Sequence, residues 1–175
     1  MYRVGVLIAA TLALFTSSAW AVDASLSNDA NAAFLKTNAA QKGVIVEPSG
    51  LQHQTIKSGY GMRPTALDTV TVYYKGQLIN GTTFDATEPG FPAKFTVNKL
   101  IPGWTQALEL MRAGDHWRLV VPADLAYGPR GQGDIIPPNQ TLVFDLQLLT
   151  VIPAPPKKPG EDDDHSSAGP GADNY

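Results

Sequence analysis

The chain has no cysteine among its 175 residues. A disulfide framework, a thiol nucleophile and a cysteine-bound zinc are excluded from the outset. It also lacks a basic field, because 13 Lys and Arg stand against 16 Asp and Glu for a net charge of -3. Nothing in that balance collects phosphates, so non-specific nucleic-acid binding is excluded. Residues 22–152 carry 10 basic and 11 acidic side chains, and whatever this stretch binds is not recruited by long-range charge. Catalytic signatures are equally scarce. There is no G-x-S-x-G and no H-E-x-x-H, and His53, His116 and His165 do not have the spacing of metal ligands. Asp162, Asp163, Asp164 and His165 form an acidic run without an apolar period, which reads as a solvated charge run rather than a metal site. Gly128–Gly133 is glycine-rich but lacks the Lys-Ser/Thr ending of a phosphate loop, and Pro137-Pro138 stands where that loop's helix would begin. The apolar run over residues 4–15 falls short of the ~20 residues that a membrane-spanning helix needs.

What is present begins with that short run. Arg3 precedes it and Ala19-Trp20-Ala21 follows as a small-x-small cleavage site, so residues 1–21 read as a secretory signal peptide cut after Ala21. The mature chain is then exported and free of the membrane, to the periplasm or the external medium. With no cysteine at the junction, a lipid anchor is not available. With 43% hydrophobic and 17% charged residues, the rest has the make-up of a globular domain with a core. The sequons at Asn80 and Asn139 matter only in a glycosylating host.

Asp23 to Lys42, with Ser25, Ser27, Asn28 and Asp29 as candidate caps and Gly43 as its stop, reads as one short amphipathic helix. From Leu51 the period changes to two. Val70, Val72, Tyr74, Gly76 and Leu78 share one face of a strand over Asp68 to Leu78, which puts Tyr74 inward. Asn80-Gly81 then makes a tight turn. Further strands are expected at Trp117 to Val121 and Thr141 to Thr150. Between the first strand and these two, Pro102-Gly103 opens a helix, Trp104, Leu108 and Met111 stand at i, i+4 and i+7, and Gly114 closes it. Several antiparallel strands with one short helix packed on the sheet make an α+β domain. The expected division is therefore a signal peptide over 1–21, a short helical extension over 22–48, the globular domain over 49–152, and a disordered acidic, Pro- and Gly-rich tail over 153–175.

Aromatic and aliphatic residues crowd the turns of that domain, and their order is informative. Val72-Tyr73-Tyr74-Lys75-Gly76, Gly81-Thr82-Thr83-Phe84-Asp85, Leu100-Ile101-Pro102-Gly103-Trp104, Leu125-Ala126-Tyr127-Gly128, Ile135-Ile136-Pro137-Pro138-Asn139 and Leu142-Val143-Phe144-Asp145 occur in that sequence. Together these six blocks resemble the FKBP-type peptidyl-prolyl cis-trans isomerases over about Ser49 to Ile152. Phe34-Leu35-Lys36-Thr37-Asn38, with Gly43-Val44 and Ser49-Gly50-Leu51, further resembles the exported bacterial members.

The resemblance implies a twisted antiparallel sheet wrapped around the short helix, with the substrate proline in an apolar cleft between them. It implies catalytic roles for Tyr74, Phe84, Asp85, Trp104, Tyr127 and Phe144. Trp104 would be the floor, Tyr74, Phe84, Phe95 and Phe144 the walls, Tyr127 a hydroxyl donor and Asp85 a rim carboxylate, which either orients a tyrosine or arginine or senses the strained amide directly. Substrate-binding roles fall to Phe95, Leu100, Ile101, Ala126, Ile135 and Ile136, with the Ile101 amide donating to the peptide. No metal, nucleophile or cofactor is called for. The implied partners are unfolded or partly folded exported proteins with X-Pro bonds, and macrolide inhibitors. About 27 residues separate Ala21 from the domain, too few for the helical stalk of dimeric members, so a monomer is expected. Two positions depart from the family pattern. Ala93 stands where an aromatic wall residue is common, with Phe91 as the ring nearest to replace it, and Gln132 stands where a histidine is common. The alternative from another class is a proline-peptide binding module or holdase that uses the same cleft without catalysis.

Overall fold

Alternation of apolar and polar residues over Thr69–Leu78 makes a strand that can bury one face and wet the other, and it becomes the longest ladder of a seven-stranded sheet. The computed structural model describes residues 23–156. The predicted signal peptide and residues 157–175 of the predicted tail lie outside them. The strands are β1 (Val44–Val46), β2 (Gln52–Lys57), β3 (Thr69–Leu78), β4 (Thr83–Ala86), β5 (Ala93–Thr96), β6 (His116–Val121) and β7 (Leu142–Ile152). All pair antiparallel in the order β1-β2-β6-β7-β3-β4, with β5 also on β3. Two α-helices accompany them, α1 (Asn28–Ala39) and α2 (Pro102–Leu110).

One edge of β3 is shared. Val70 and Val72 lie opposite Phe95 and Ala93 of β5, whereas Lys75 and Gly76 lie opposite Ala86 and Asp85 of β4. Tyr74 falls between the two partners. Its amide donates to Thr87 Oγ1 at 3.1 Å, and its carbonyl accepts from the Thr87 amide at 3.0 Å. That clasp turns the chain from β4 toward β5 and fixes the base of the Tyr74 ring.

The apolar face of the sheet, with Val70, Val72, Leu119, Phe144, Leu146 and Leu148, packs on Trp104, Ala107, Leu108 and Met111 of α2, all buried. Each of the Val, Leu, Met and Phe side chains among them contributes about 1.5 to 3 kcal/mol by leaving water. Pro102 opens α2 at its first position, where the missing N–H costs nothing. Gly103 lets the helix lie close to β6, since a Cβ there would stand 2.4 Å from Val121 Cγ1. The helix ends at Leu110, earlier than Gly114. Asp115 explains this, because its carboxylate accepts from the Arg112 amide at 2.6 Å and ends the helical ladder there.

The N-terminal segment differs from one amphipathic helix over Asp23 to Lys42. A 3-10 turn at Ala24–Leu26 comes first, then Ser27 caps α1 by accepting from the Ala30 amide. The buried residues of α1 are Asn31 and Asn38, not an apolar stripe. Asn31 Oδ1 accepts from the Thr141 amide at 2.7 Å, and Asn38 Nδ2 donates to Gln52 Oε1 at 2.8 Å. Amide chemistry docks the helix, a signal that hydrophobic periodicity does not register. The first tail residues are also placed, since the Ala154 amide donates to Asp68 Oδ1 at 2.8 Å. Amides of Thr65 and Ala154 hold the Asp68 carboxyl below its usual range.

Candidate active site

Trp104 lies in the first turn of α2, where Gly103 lets the helix approach the sheet, and its indole is almost wholly buried between helix and strands. Three rings meet it edge to face. Tyr74 and Phe144 each stand 5.2 Å away at 86° and 81°, and Phe95 stands 6.1 Å away at 86°. Phe84 completes the set by meeting Phe144 at 5.7 Å and 89°. Such perpendicular pairs set a positive ring edge against a negative ring face, and each contributes about 0.5 to 1.5 kcal/mol beyond its buried area. The four walls come from β3, β4, β5 and β7, so the geometry needs four of the seven strands paired around β3.

Gly76 makes the Phe84–Phe144 contact available. It lies opposite Asp85 on β4 and Phe144 on β7. A Cβ there would be 2.6 Å from Phe84 Cζ and 2.9 Å from Phe144 Cε1. Only hydrogen in place of a side chain leaves room for both rings.

These residues enclose a cavity of about 410 Å³ lined by Tyr74, Phe84, Asp85, Phe95, Lys99, Leu100, Ile101, Trp104, Tyr127 and Phe144. All six residues expected to be catalytic line it, as do Phe95, Leu100 and Ile101. Ala126, Ile135 and Ile136 do not. Ile136 is 1% exposed and belongs to the core, whereas Ile135 is 62% exposed on the surface. Ala126 packs against the core as the neighbour of Tyr127. Adjacent residues on an irregular loop cannot all face one cavity, and Tyr127 takes the position. Phe91 is 73% exposed and does not replace the ring missing at Ala93. Gln132 is exposed, and its amide donates to the Ile136 carbonyl to close the loop. Lys99 was not anticipated, because a lone lysine before Leu100 carries no periodic or motif signal.

The polar groups are few and placed. Tyr74 Oη donates to Asp85 Oδ2 at 2.5 Å. Burial, and then this bond and the charge of Asp85, push the Tyr74 phenol well above its usual range. Burial and the Asp85 charge push Tyr127 in the same direction, with no hydrogen bond contributing. Both hydroxyls stay protonated at neutral pH, and that of Tyr127 has no hydrogen-bond partner among the described residues. The Ile101 amide makes no hydrogen bond to the backbone among the described residues, although the Ile101 carbonyl already accepts from Trp104 and Thr105. The Trp104 Nε1 also lacks an acceptor among them. The arrangement is thus a largely apolar box with the Trp104 N–H in its floor and two further donors, Tyr127 Oη and the Ile101 amide, without an acceptor among the described residues.

Comparison with known proteins places this geometry. A family model described as FKBP-type peptidyl-prolyl cis-trans isomerase matches residues 61–149. The chain is 55% identical over 120 residues to the outer membrane protein MIP of Legionella longbeachae, covering 68% of this chain and 52% of that one. It is 44% identical over 145 residues to a probable FKBP-type isomerase, FkpA, of Neisseria meningitidis, covering 81% and 53%. The chain thus spans about half the length of the curated relatives it matches. Among solved structures, a peptidyl-prolyl cis-trans isomerase from Pseudomonas syringae superposes with a TM-score of 0.68 at 38% identity, over 71% of this chain and 92% of that one. FkpA from Escherichia coli superposes with a TM-score of 0.70 at 44% identity, over 73% and 61%.

Proposed function

Because this chain belongs to the FKBP-type peptidyl-prolyl cis-trans isomerases, we propose that its aromatic cavity accelerates rotation about X-Pro bonds in exported proteins. The observation that carries this reading is the box of four rings around Trp104 with two unspent donors, Tyr127 Oη and the Ile101 amide, at its edge.

The chemistry follows from the bond itself. Amide resonance sets a barrier of about 18 to 20 kcal/mol, and uncatalysed X-Pro exchange takes tens of seconds or more. The planar amide is more dipolar than its twisted form. Moving it from water into an apolar box therefore costs the ground state more than the transition state, which lowers the difference between them. A donor aimed at the carbonyl of the rotating bond adds about 1 to 3 kcal/mol by analogy with oxyanion donors, at the low end for a neutral group, whereas a donor to a carbonyl that stays fixed anchors the peptide. Asp85 is a positioning residue in this scheme. It holds the Tyr74 hydroxyl, and so the ring, against Trp104.

The wider reading is that residues 1–21 direct export and are removed after Ala21, and that 22–48 and 153–175 flank an isomerase domain at 49–152. The protein then works in the periplasm as a folding helper for chains with X-Pro bonds, as a monomer, and its cavity is open to macrolide ligands. No described helix is long and apolar enough to cross a membrane.

The test is cis–trans exchange of a Leu-Pro peptide followed by NMR with the purified protein, beside Trp104→Ala, Tyr127→Phe and Asp85→Ala. Acceleration by the wild type, lowered in the folded variants, is expected. A folded wild type that leaves several X-Pro peptides at the uncatalysed rate would overturn the reading in favour of a binding module or holdase.

A further inference from the structure

Two of the residues lining the cavity carry charge, and they are not in the same condition. Asp85 already accepts the Tyr74 hydroxyl. Lys99 is exposed, and the ion pairs of the described residues, His53 with Glu47 and His116 with Asp145, leave it without a carboxylate within 4 Å. The cavity mouth therefore carries an ammonium with no ion-pair partner among the described residues, while the Asp85 carboxylate in the same lining is engaged by the Tyr74 hydroxyl.

Its base is fixed even though its tip is wet. Lys99 ends the 3-10 turn Val97–Lys99, and that turn is pinned on three sides. The Val97 amide donates to the Asp68 carbonyl at 3.1 Å, the Asn98 amide to the Ala66 carbonyl at 2.9 Å, and Thr105 Oγ1 to the Val97 carbonyl at 2.8 Å. Beyond Lys99 the backbone is extended, with Leu100 at φ -101°, ψ 172° and Ile101 at φ -59°, ψ 148°. Two residues of extended chain advance roughly 6.5 to 7 Å. An extended peptide held on the Ile101 amide would thus bring a residue one or two positions away alongside Lys99.

Catalysis of rotation needs one half of the peptide held while the other turns. The carbonyl of the proline residue itself lies on the half that need not move, so it suits a fixed backbone donor, and the preceding acyl group turns inside the aromatic box. With the chain after proline running along the segment from Ile101 to Lys99, the side chain that follows proline comes within reach of the Lys99 ammonium. We propose that Lys99 gives this isomerase a preference for proline followed by an acidic residue, Pro-Glu or Pro-Asp, by pairing its ammonium with that carboxylate at the cavity mouth. This rests on the isomerase reading and names the substrate class it acts on.

Exchange spectroscopy on two peptides that differ only after proline, Ala-Leu-Pro-Glu-Ala and Ala-Leu-Pro-Lys-Ala with capped ends, tests it. One exposed ion pair is expected to favour Pro-Glu about two- to fivefold in kcat/KM at low salt, with the difference in KM. At 1 M salt, where screening acts within about 3 Å, the ratio should approach one. Lys99→Glu should bring the ratio below one. Lys94→Glu makes the same charge change on β5 at an exposed residue outside the lining and should leave the ratio as in the wild type. A ratio near one in the wild type, a ratio that Lys99→Glu does not move, or one that Lys94→Glu moves equally, overturns the assignment while the isomerase reading stands. Failure to accelerate either peptide overturns the isomerase reading and this inference with it.

Discussion

Replacing Gly76 by alanine is a perturbation too small to see in the sequence and large in the structure. The added methyl would stand 2.6 and 2.7 Å from Phe84 Cζ and Cε2 and 2.9 Å from Phe144 Cε1, where carbon pairs prefer about 3.5 to 4.0 Å. Phe144 is buried and belongs to the long β7 ladder. Phe84 is half-buried on the four-residue edge strand β4, so its ring must retreat, by roughly 1 Å on those contact distances. Overpacking of this kind costs about 1 to 3 kcal/mol, and at about 4 °C per kcal/mol for a domain of this size Tm should fall by about 4 to 12 °C. The retreat also loosens the perpendicular Phe84–Phe144 pair and opens one wall of the cavity. If the wall contributes about 1 kcal/mol to the barrier, kcat/KM falls roughly fivefold. Scanning calorimetry reads the first quantity and NMR exchange of a Leu-Pro peptide the second. A double-mutant cycle makes the reasoning strict. If the clash is with Phe84, Gly76→Ala in a Phe84→Ala background should cost much less than in the wild type, a coupling of at least about 0.5 kcal/mol. Additive costs, or a Gly76→Ala protein with wild-type Tm and rate, would refute the close packing of these rings over a bare backbone.

Tyr127→Phe removes an unspent hydroxyl, so it should lower kcat/KM about five- to thirtyfold, at the low end for a neutral donor, with little change in Tm. An unchanged rate removes Tyr127 from the mechanism. In an alkaline titration followed by phenolate absorbance, Tyr74 and Tyr127 should keep their protons above the ordinary tyrosine value of about 10, because burial and Asp85 both disfavour the phenolate. The folded state then binds more protons than the unfolded one, so the stability they add is full below about pH 10 and is lost as pH rises through the folded values. Asp85→Asn should make both phenols ionise earlier, and identical titrations of the two proteins would contradict this. Asn31→Ala strands the buried Thr141 amide, which donates to Asn31 Oδ1 at 2.7 Å, and should cost about 1 to 3 kcal/mol in urea or thermal unfolding. A cost of a few tenths would mean that amide bonds do not dock α1.

Strand and helix came through in the sequence wherever one residue in two, or one in three or four, had to be apolar. The period over Thr69–Leu78 and Leu142–Ile152 and the Pro102 start of α2 are cases where burial on one face leaves a local trace. The short strands β1, β4 and β5 are three or four residues long, too brief for a period to show. The early end of α2 depended on the Asp115 carboxylate, and the docking of α1 on Asn31 and Asn38 finding Thr141 and Gln52. A polar residue does not announce its partner.

The site divides in the same way. Its rings were legible as six blocks in a fixed order, and it was that order, through the family resemblance, that implied an apolar cleft, because aromatic residues by their kind alone read equally as core. Which of them face one another was decided by the tertiary structure. Tyr127 turns into the cavity while Ile135 turns out and Ile136 goes to the core. Asp85 meets Tyr74 across a β3–β4 pairing, and Lys99 reaches the mouth because its turn is pinned to Asp68 and Ala66. The physical reason is that side-chain type and period are properties of a short stretch of chain. The direction of a loop residue and the partner of a polar group depend on contacts between segments tens of residues apart, which exist only once the sheet has closed over α2.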